Sequence, residues 1–279
     1  MGFGCNAAGI IGCRIIDSPR EKMIAILTNN FVPCNGRFPT LIAISTVFFA
    51  ATSYATLNSI VPALSITLMV IIGIGITLLV SYILSKTILK GVPSTFTLEL
   101  PPYRVPKIGR VLYSSIIDRT IFVLTRAVII AAPAGAITWL ISNITIGDIS
   151  ILTHVSNFLD PFAKLIGLDG FILMAFIVGL PANEIVLPVL LMAYLSTGSL
   201  TEFSSIGELK TILLDNNWTY LTALNTMLFS LLHWPCSTTL MTIKKETGSV
   251  KWTIVAFIIP TVIAIVVCFV TTRVYNLLF

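Results

Sequence analysis

The stretch that decides the fold reads FIVGLPANEIVLPVLLMAYL and covers residues 176–195. Its length and apolar character match a helix that crosses the hydrocarbon core of a bilayer, which needs about 20 such residues. Five residues interrupt the pattern, namely Gly179, Pro181, Asn183, Glu184 and Pro188. Proline breaks helices, and a carboxylate in lipid costs roughly 2.5–3.5 kcal/mol. The stretch therefore predicts a broken helix at membrane depth, which is tolerated where protein shields it or where it lines a wet cavity.

The composition of the whole chain indicates an integral membrane protein. Hydrophobic residues make up 56% of the 279 residues and charged residues only 10%, with a mean hydropathy of +0.97. A soluble domain carries about 25% charged residues, so this chain has too little polar surface to cover a water-soluble fold. The net charge of +5 is spread between apolar spans, which argues against a nucleic-acid-binding face.

Apolar segments predict four membrane-spanning helices and two broken ones. The four spans are roughly 38–57, 62–85, 120–142 and 252–278, and the broken segments are 168–195 and 219–243. Residues 86–119 carry four prolines and six cations against two acidic residues, which predicts a cytoplasmic loop by the positive-inside rule. This loop separates a first part of the chain, residues 1–85, from a second part, residues 120–279.

The charges of the other loops predict how the broken segments are threaded. The basic loops 14–22 and 244–251 are predicted to be cytoplasmic, and the acidic loops 143–161 and 196–218 to be external. A full crossing by residues 168–195 would place the second basic loop outside. A re-entrant hairpin, which enters and leaves through the same face, puts each later loop on the side that its charge predicts.

Two pairs of similar segments predict an internal repeat. GFGCNAAGI at 2–10 aligns with GLPANEIVL at 179–187, and NNFVPCNGRFPTLI at 29–42 resembles SLLHWPCSTTLMTI at 230–243. The loops that follow the two Gly–Asn motifs are predicted to lie on opposite sides, as expected of the inverted repeats of secondary transporters. The predicted fold class is an all-α, polytopic transmembrane helical bundle with broken, re-entrant helices and an inverted repeat.

The polar residues near the breaks form a candidate metal site of thiol, imidazole, carboxylate and amide groups. They are Cys5, Asn6, Cys34, Asn183, Glu184, His233 and Cys236. Such groups suit a borderline divalent metal such as Fe(II), Mn(II), Co(II) or Zn(II) better than Ca or Mg, which prefer oxygen. Other roles stay open: Glu184 could cap the broken helix, and His233 could bond a neighbouring carbonyl group or relay a proton.

The five cysteines are predicted to be free thiols, because their number is odd and no CxxC pair occurs. Cys13 and Cys268 are expected to be buried structural residues, since an unpaired cysteine behaves as a small hydrophobic side chain. Cys34 and Cys236 each follow a proline at a predicted helix break, and Cys5 lies in a glycine-rich turn. Structural and metal-binding roles are both open for these three.

Motifs for nucleotide binding and hydrolysis are absent from the sequence. It contains no G-x-x-x-x-G-K-[ST] phosphate loop, no H-E-x-x-H zinc motif and no G-x-S-x-G nucleophile motif. We therefore expect this chain to have no enzymatic activity and to bind no nucleotide.

Four segments resemble the membrane core of the FeoB family of ferrous-iron transporters, with its paired Gate segments: GFGCN, REKMIAILTNNFVPCNGRFP, GLPANEIVLPV and LLHWPCSTTLMTIKKETGSVKWT. The resemblance implies that Fe2+ is the transported substrate and that the chain lies in the bacterial cytoplasmic (inner) membrane. It also implies that Cys5, Cys34 and Cys236 match the gate cysteines of the family and Glu184 its gate carboxylate. One departure is Ala7-Ala8, where the family commonly has a proline after the asparagine.

The family carries an N-terminal G-protein domain and further membrane helices before the first Gate segment, whereas Met1 here lies at that segment. The resemblance thus implies a truncated chain, whose GTP hydrolysis belongs to the missing part or to a partner chain. A second copy of the chain and membrane lipid are the other expected partners. Two other functions stay open, a nucleoside or organic-solute carrier of the related gate type and a non-transporting membrane scaffold.

Overall fold

The computed structural model describes residues 2–49, 57–89, 109, 113, 121–146, 149–195, 197 and 205–278. Within these residues the chain forms twelve α-helices: α1 (Asn6–Gly12), α2 (Pro19–Thr28), α3 (Phe38–Phe49), α4 (Leu57–Lys86), α5 (Phe122–Asn143), α6 (Ile151–Leu165), α7 (Gly170–Val178), α8 (Val186–Leu195), α9 (Ile206–Asp215), α10 (Tyr220–Leu232), α11 (Ser237–Thr247) and α12 (Val250–Leu278). Short 3-10 turns lie at Cys13–Ile15, Asn29–Phe31 and Asn183–Ile185, and β1 (Thr145–Ile146) pairs antiparallel with β2 (Ile149–Ser150). The predicted all-α class is confirmed.

Two helices in the described part of the chain are long and apolar enough to cross a membrane. They are Ile60–Lys86 within α4 and Val250–Leu278, which is α12. They confirm the spans predicted at 62–85 and 252–278. The span predicted at 120–142 is the 22-residue helix α5. Of the span predicted at 38–57, the structure describes the 12-residue helix α3, and residues 50–56 lie outside the described ranges.

The segment 168–195 is a hairpin of two short helices. α7 has nine residues and α8 has ten. At about 1.5 Å per residue, each helix is at most about half as long as the roughly 30 Å hydrocarbon core is thick. Asp169, directly before α7, accepts a hydrogen bond from the hydroxyl group of Tyr194 near the end of α8. Because residues near the two ends of the segment are neighbours, the chain folds back on itself and the predicted hairpin is confirmed. The helix pair that is bent like a broken span or a re-entrant loop is α6 with α7, at 111°, and the face through which the hairpin enters and leaves the membrane stays a prediction.

Two segments that the charges predicted as loops contain helices instead. Residues 143–161 hold the β-hairpin and most of α6, and residues 196–218 hold α9. Both helices are capped, since Ser150 Oγ accepts the N–H of Thr153 and Ser205 Oγ accepts the N–H of Glu208. Counting charges missed them because these helices are amphipathic and pack only one face on the protein. The loop predicted at 86–119 lies almost wholly outside the described residues, and the side on which each loop lies stays a prediction.

Helices of the first part pack directly on helices of the second part. α3 contacts α9 and α10, α1 contacts α11, and α10 lies against α12. At the surface of this contact the guanidinium of Arg14 donates two hydrogen bonds to the carboxylate of Glu246, at 2.8 and 2.6 Å. This packing brings the break between α7 and α8, the break between α10 and α11, and the turn before α3 to one place.

Candidate functional site

Each Pro–Cys turn is tied to the glycine-containing turn of its own repeat by a similar backbone hydrogen bond. The N–H of Asn35, after Cys34, donates to Gly4 O at 3.0 Å. The N–H of Ser237, after Cys236, donates to Leu180 O at 2.9 Å. The shared bond supports the internal repeat that the sequence predicts, and the inversion of the two copies stays a prediction.

His233 ends α10 and is only 1% exposed. Its Nδ1 lies 3.0 Å from Phe229 O and 2.9 Å from Ser230 O. Carbonyl oxygens only accept hydrogen bonds, so Nδ1 carries a hydrogen; in the neutral imidazole Nε2 then keeps its electron pair and makes no hydrogen bond to Asn183 Oδ1, which is also an acceptor. His233 therefore bonds its neighbouring carbonyl groups, as one of the open alternatives predicted, and still offers Nε2 to a metal ion.

Asn183 lies between the imidazole of His233 and the thiol of Cys34, at the first residue of its 3-10 turn. Its Oδ1 is 3.4 Å from His233 Nε2 and its Nδ2 is 3.8 Å from Cys34 Sγ. Two ligand atoms held at about 2.1 Å from one metal at the tetrahedral angle lie about 3.4 Å apart, and a sulfur ligand at about 2.3 Å lies slightly farther away. All three side chains are buried. The separation of Asn183 Oδ1 and His233 Nε2 is one that two ligands of a single metal ion can have, whereas the Nδ2 of Asn183 donates to the sulfur of Cys34 and keeps that thiol beside the pair.

The other four predicted site residues do not join this trio directly. Cys5 is exposed at the N-cap of α1, and Asn6 is buried, with its Nδ2 bonded to Asn30 Oδ1 at 3.3 Å. The thiol of Cys236, which is half-buried, lies 3.2 Å from Thr239 Oγ1. Glu184 is exposed beside Gly36, where an added Cβ would be 3.3 Å from Glu184 Oε1. Glu184 thus faces the turn that carries Cys34.

Over the described ranges, no group of three or more His, Cys, Asp or Glu side chains is placed to hold a metal ion. The trio contains two such residues, Cys34 and His233, with an amide as the third. All five cysteines are free thiols, as predicted. Cys13 and Cys268 are buried and donate to Gly9 O and Asn225 O at 3.4 and 3.5 Å, which agrees with the structural role expected of them.

Arg37 is a site residue that the sequence analysis missed. It is 1% exposed and bonds carbonyl groups on both sides of the contact between the two parts of the chain. The sequence offered one signal, a lone arginine inside the motif PCNGRFP between apolar segments. Nothing local indicates that its partners lie about 200 positions away, so its role could not be derived from spacing.

Comparison with protein families gives two matches to this chain. A model described as "Ferrous iron transport protein B C terminus" matches residues 66–118. A second, named Gate and described as "Nucleoside recognition", matches residues 124–250 and so includes Asn183, His233 and Cys236. None of the solved structures matches the chain.

Curated relatives match the chain over nearly its whole length. A protein of Staphylococcus aureus (strain MSSA476) named "Fe(2+) transporter FeoB" is 30% identical over 99% of this chain and 40% of its own length. Proteins of the same name from Methanocaldococcus jannaschii and Leptospira biflexa are 28% and 26% identical over 100% and 95% of this chain. The chain therefore spans about two fifths of the length of these relatives.

Proposed function

The chain belongs to the FeoB family, and on this premise we propose that it forms the permeation core through which Fe2+ crosses the membrane. The observation that carries the proposal is the buried trio of Cys34, Asn183 and His233 at the broken helices. Its sulfur, oxygen and nitrogen atoms are the mixed donors that a borderline ion such as Fe2+ accepts.

The trio is suited to passing an ion onward, because it offers few strong ligands. His233 is neutral at Nε2, Asn183 is an amide, and only the Cys34 thiol would release a proton on binding. Conduction requires a site strong enough to admit the ion and weak enough to release it. We propose that Glu184, which is exposed beside the Cys34 turn, lies on the path by which the ion reaches the trio. We also propose that Cys5, Asn6 and Cys236 contact the same ion before or after it occupies the trio.

The proposal includes a setting for the chain. The chain is a membrane protein, and we propose that it crosses the bacterial inner membrane several times. The permeation core itself carries out no catalysis, and GTP hydrolysis is assigned to the part of the relatives' length that this chain does not span, on the same or another polypeptide. Purified chain should accordingly hydrolyse no GTP above a blank of empty detergent.

The test is Fe2+ uptake into proteoliposomes under reducing conditions, with the chain alone and together with the protein of its genomic upstream neighbour. Variants C34S, N183A and H233Q should each lower the initial rate at least about tenfold, as loss of a ligand or of its support does. The matched control is C268S, which changes a buried cysteine outside the trio and keeps its hydrogen bond to Asn225 O. Its rate should stay within about twofold of the parent chain.

The alternatives predict other outcomes of the same experiment. Uptake of nucleosides that survives C34S and H233Q would favour the organic-solute carrier. Absence of flux in both arrangements, with folded and inserted protein, would favour the scaffold. A direct binding measurement tests the trio as well: Co2+ added to the parent chain should give a thiolate absorption band that C34S lacks and C268S retains.

A further inference from the structure

Arg37 lies in the turn before α3, where its guanidinium is enclosed by oxygen atoms from both parts of the chain. Nη1 lies 2.8 Å from Asn30 O and 2.7 Å from Leu231 O, and Nη2 lies 3.2 Å from Asn30 Oδ1, 3.1 Å from His233 O and 3.3 Å from Trp234 O. Five oxygens thus surround one buried cation. We call these five atoms the oxygen cage.

The oxygen cage carries no formal negative charge. Arg37 makes no ion pair with a carboxylate in the described part of the chain, although charged residues are almost never fully buried unless paired. The positive charge of Arg37 is instead stabilised by the dipoles of the surrounding carbonyl and amide groups. Leu231 lies in the last turn of α10, where the unpaired carbonyl groups form the negative end of the helix dipole, and His233, in extended conformation, and Trp234 directly follow the helix. The end of a broken helix and the two residues after it therefore supply three of the five oxygens of the oxygen cage.

Carbonyl oxygens at the ends of discontinuous helices are the ligands with which transporters and channels hold alkali ions. They also suit Ca2+, which takes backbone and amide oxygens. The oxygen cage has this chemistry, and its occupant is a side chain. If the guanidinium were absent, a free cation could take the place of Nη1, beside two of these oxygens, or of Nη2, beside the other three.

We propose that Arg37 is a specificity-determining residue, because its guanidinium fills a site that would otherwise bind a hard cation such as K+, Na+ or Ca2+. With the oxygen cage filled, an entering ion meets only the thiol, amide and imidazole of the trio. His233 belongs to both groups, through its carbonyl oxygen and its Nε2. The guanidinium of Arg37 in the oxygen cage therefore also holds His233, and with it the imidazole of the trio, in position. The consequence for ion selectivity rests on the proposed function, whereas the oxygen cage itself does not.

The first test measures the cation dependence of thermal unfolding of the full chain in detergent. The variant R37A is compared in KCl, NaCl, CaCl2 and choline chloride at one ionic strength. At saturating concentration at least one of the three metal ions should raise the Tm of R37A by about 4 °C or more relative to choline, the shift expected of a ligand that binds only the folded state. The parent chain should show no such difference, since its oxygen cage is occupied.

Arg20 provides the matched control. Its guanidinium also bonds two carbonyl oxygens, that of Ser85 in the last turn of α4 and that of Leu89 after the helix, but within the described residues no set of five oxygens encloses it. R20A should unfold at the same temperature in all four salts. The variant R37K keeps a cation in the oxygen cage and should likewise be insensitive to the salt used.

A purely structural role for Arg37 predicts that R37A is destabilised equally in every salt. That result, or an R37A chain that fails to fold whichever cation is added, would overturn the proposal. Uptake experiments then address selectivity: excess K+, Na+ or Ca2+, whichever stabilises R37A, should inhibit Fe2+ flux through R37A at least about fivefold more than through the parent chain. Cation-dependent stability without Fe2+ flux in either protein would leave the oxygen cage standing and contradict the proposed function instead.

Discussion

The hydroxyl group of Tyr194 donates a hydrogen bond to the carboxylate of Asp169 and accepts one from the indole N–H of Trp218, at 2.8 Å. The other carboxylate oxygen of Asp169 accepts the N–H of Ile172 at 2.6 Å and so caps α7. Three places in the chain meet in this network: the start of α7, the end of α8 and the turn before α10. The base of the re-entrant hairpin is therefore closed by side chains and fixed to the rest of the bundle.

Removing the hydroxyl group alone, in Y194F, should lower the free energy of unfolding by about 1–3 kcal/mol. The indole N–H of Trp218 and one oxygen of Asp169 would lose their partner in a largely buried place, and an unsatisfied polar group costs about that much. Unfolding of the full chain in detergent measures the change. Y220F is the control, because Tyr220 is 60% exposed, and its effect should stay below about 0.5 kcal/mol. Equal effects of the two changes would contradict the assigned role.

The contact between α6 and α7 depends on the absence of a side chain at Gly170. A Cβ atom there would lie 2.0 Å from the backbone oxygen of Ser156 and 3.0 Å from the backbone nitrogen of Asp160. Backbone atoms cannot yield as a flexible side chain can, so G170A should destabilise the chain by about 1–3 kcal/mol or more.

The variant G207A makes the same change on the exposed face of helix α9, where the nearest atom would be 3.9 Å away. It should be neutral or stabilising by up to about 1 kcal/mol, since alanine favours a helix over glycine. Chemical or thermal unfolding of both variants and of the parent chain measures these changes in stability. A tolerated G170A would show that α6 and α7 are farther apart than described.

The ion pair between Arg14 and Glu246 should stabilise the fold in a pH-dependent way. The hydrogen bonds from Arg14 hold the pKa of Glu246 below its ordinary value of 4.5. Protonation is thus harder in the folded state, so the contribution is fully present above pH 4.5 and is lost as the pH falls through the lower, folded-state pKa. Because the Arg14 side chain is 57% exposed, we expect only about 0.2–1 kcal/mol.

A double-mutant cycle with R14Q, E246Q and the combined variant measures this interaction. The coupling energy at pH 7 should decline with added salt and disappear in acid, below the folded-state pKa of Glu246. A coupling that persists unchanged in acid would mean that charge does not hold these two residues together.

The five thiols should differ in reactivity in the order of their exposure. Cys5 is exposed, Cys236 is half-buried, and Cys13, Cys34 and Cys268 are buried. A maleimide reagent should therefore label Cys5 first and Cys236 more slowly. The remaining three should react only after unfolding. Mass spectrometry of peptides after timed labelling checks this order, with C5S as the control that removes the fastest phase. Rapid labelling of Cys268 would contradict the described packing of α12.

The sequence predicted those parts of the fold that depend on residues close together in the chain. The spans in α4 and α12 follow from long apolar runs, and the hairpin tip follows from Gly179 and Pro181 inside such a run. The helix α6 was missed because its apolar residues recur at helical spacing, as Val155, Phe158 and Phe162 do, and do not form a continuous run.

The sequence predicted which residues belong to the candidate site better than it predicted which of them lie close together. Motif spacing singled out Cys34, Asn183 and His233 with four others, but only the tertiary structure separates this trio from Cys5 and Cys236. The oxygen cage around Arg37 could not be predicted at all, because backbone carbonyls have no sequence signature. Their availability depends on where α10 ends and on which segment packs there.

The two carbonyl oxygens that hold Nδ1 of His233 limit how electrical charge can move through the bundle. A histidine conducts a proton by gaining it at one nitrogen and losing it from the other, and loss from Nδ1 would leave its electron pair facing the oxygens of Phe229 and Ser230. In this arrangement the imidazole therefore transfers protons poorly from one side to the other. Transport past it, as proposed for Fe2+, would then not be balanced by a proton that passes through this imidazole in the opposite direction, and we expect it to be electrogenic. A double charge gains about 4.6 kcal/mol from each 100 mV of membrane potential, so membrane voltage, interior negative, would pull the ion inward.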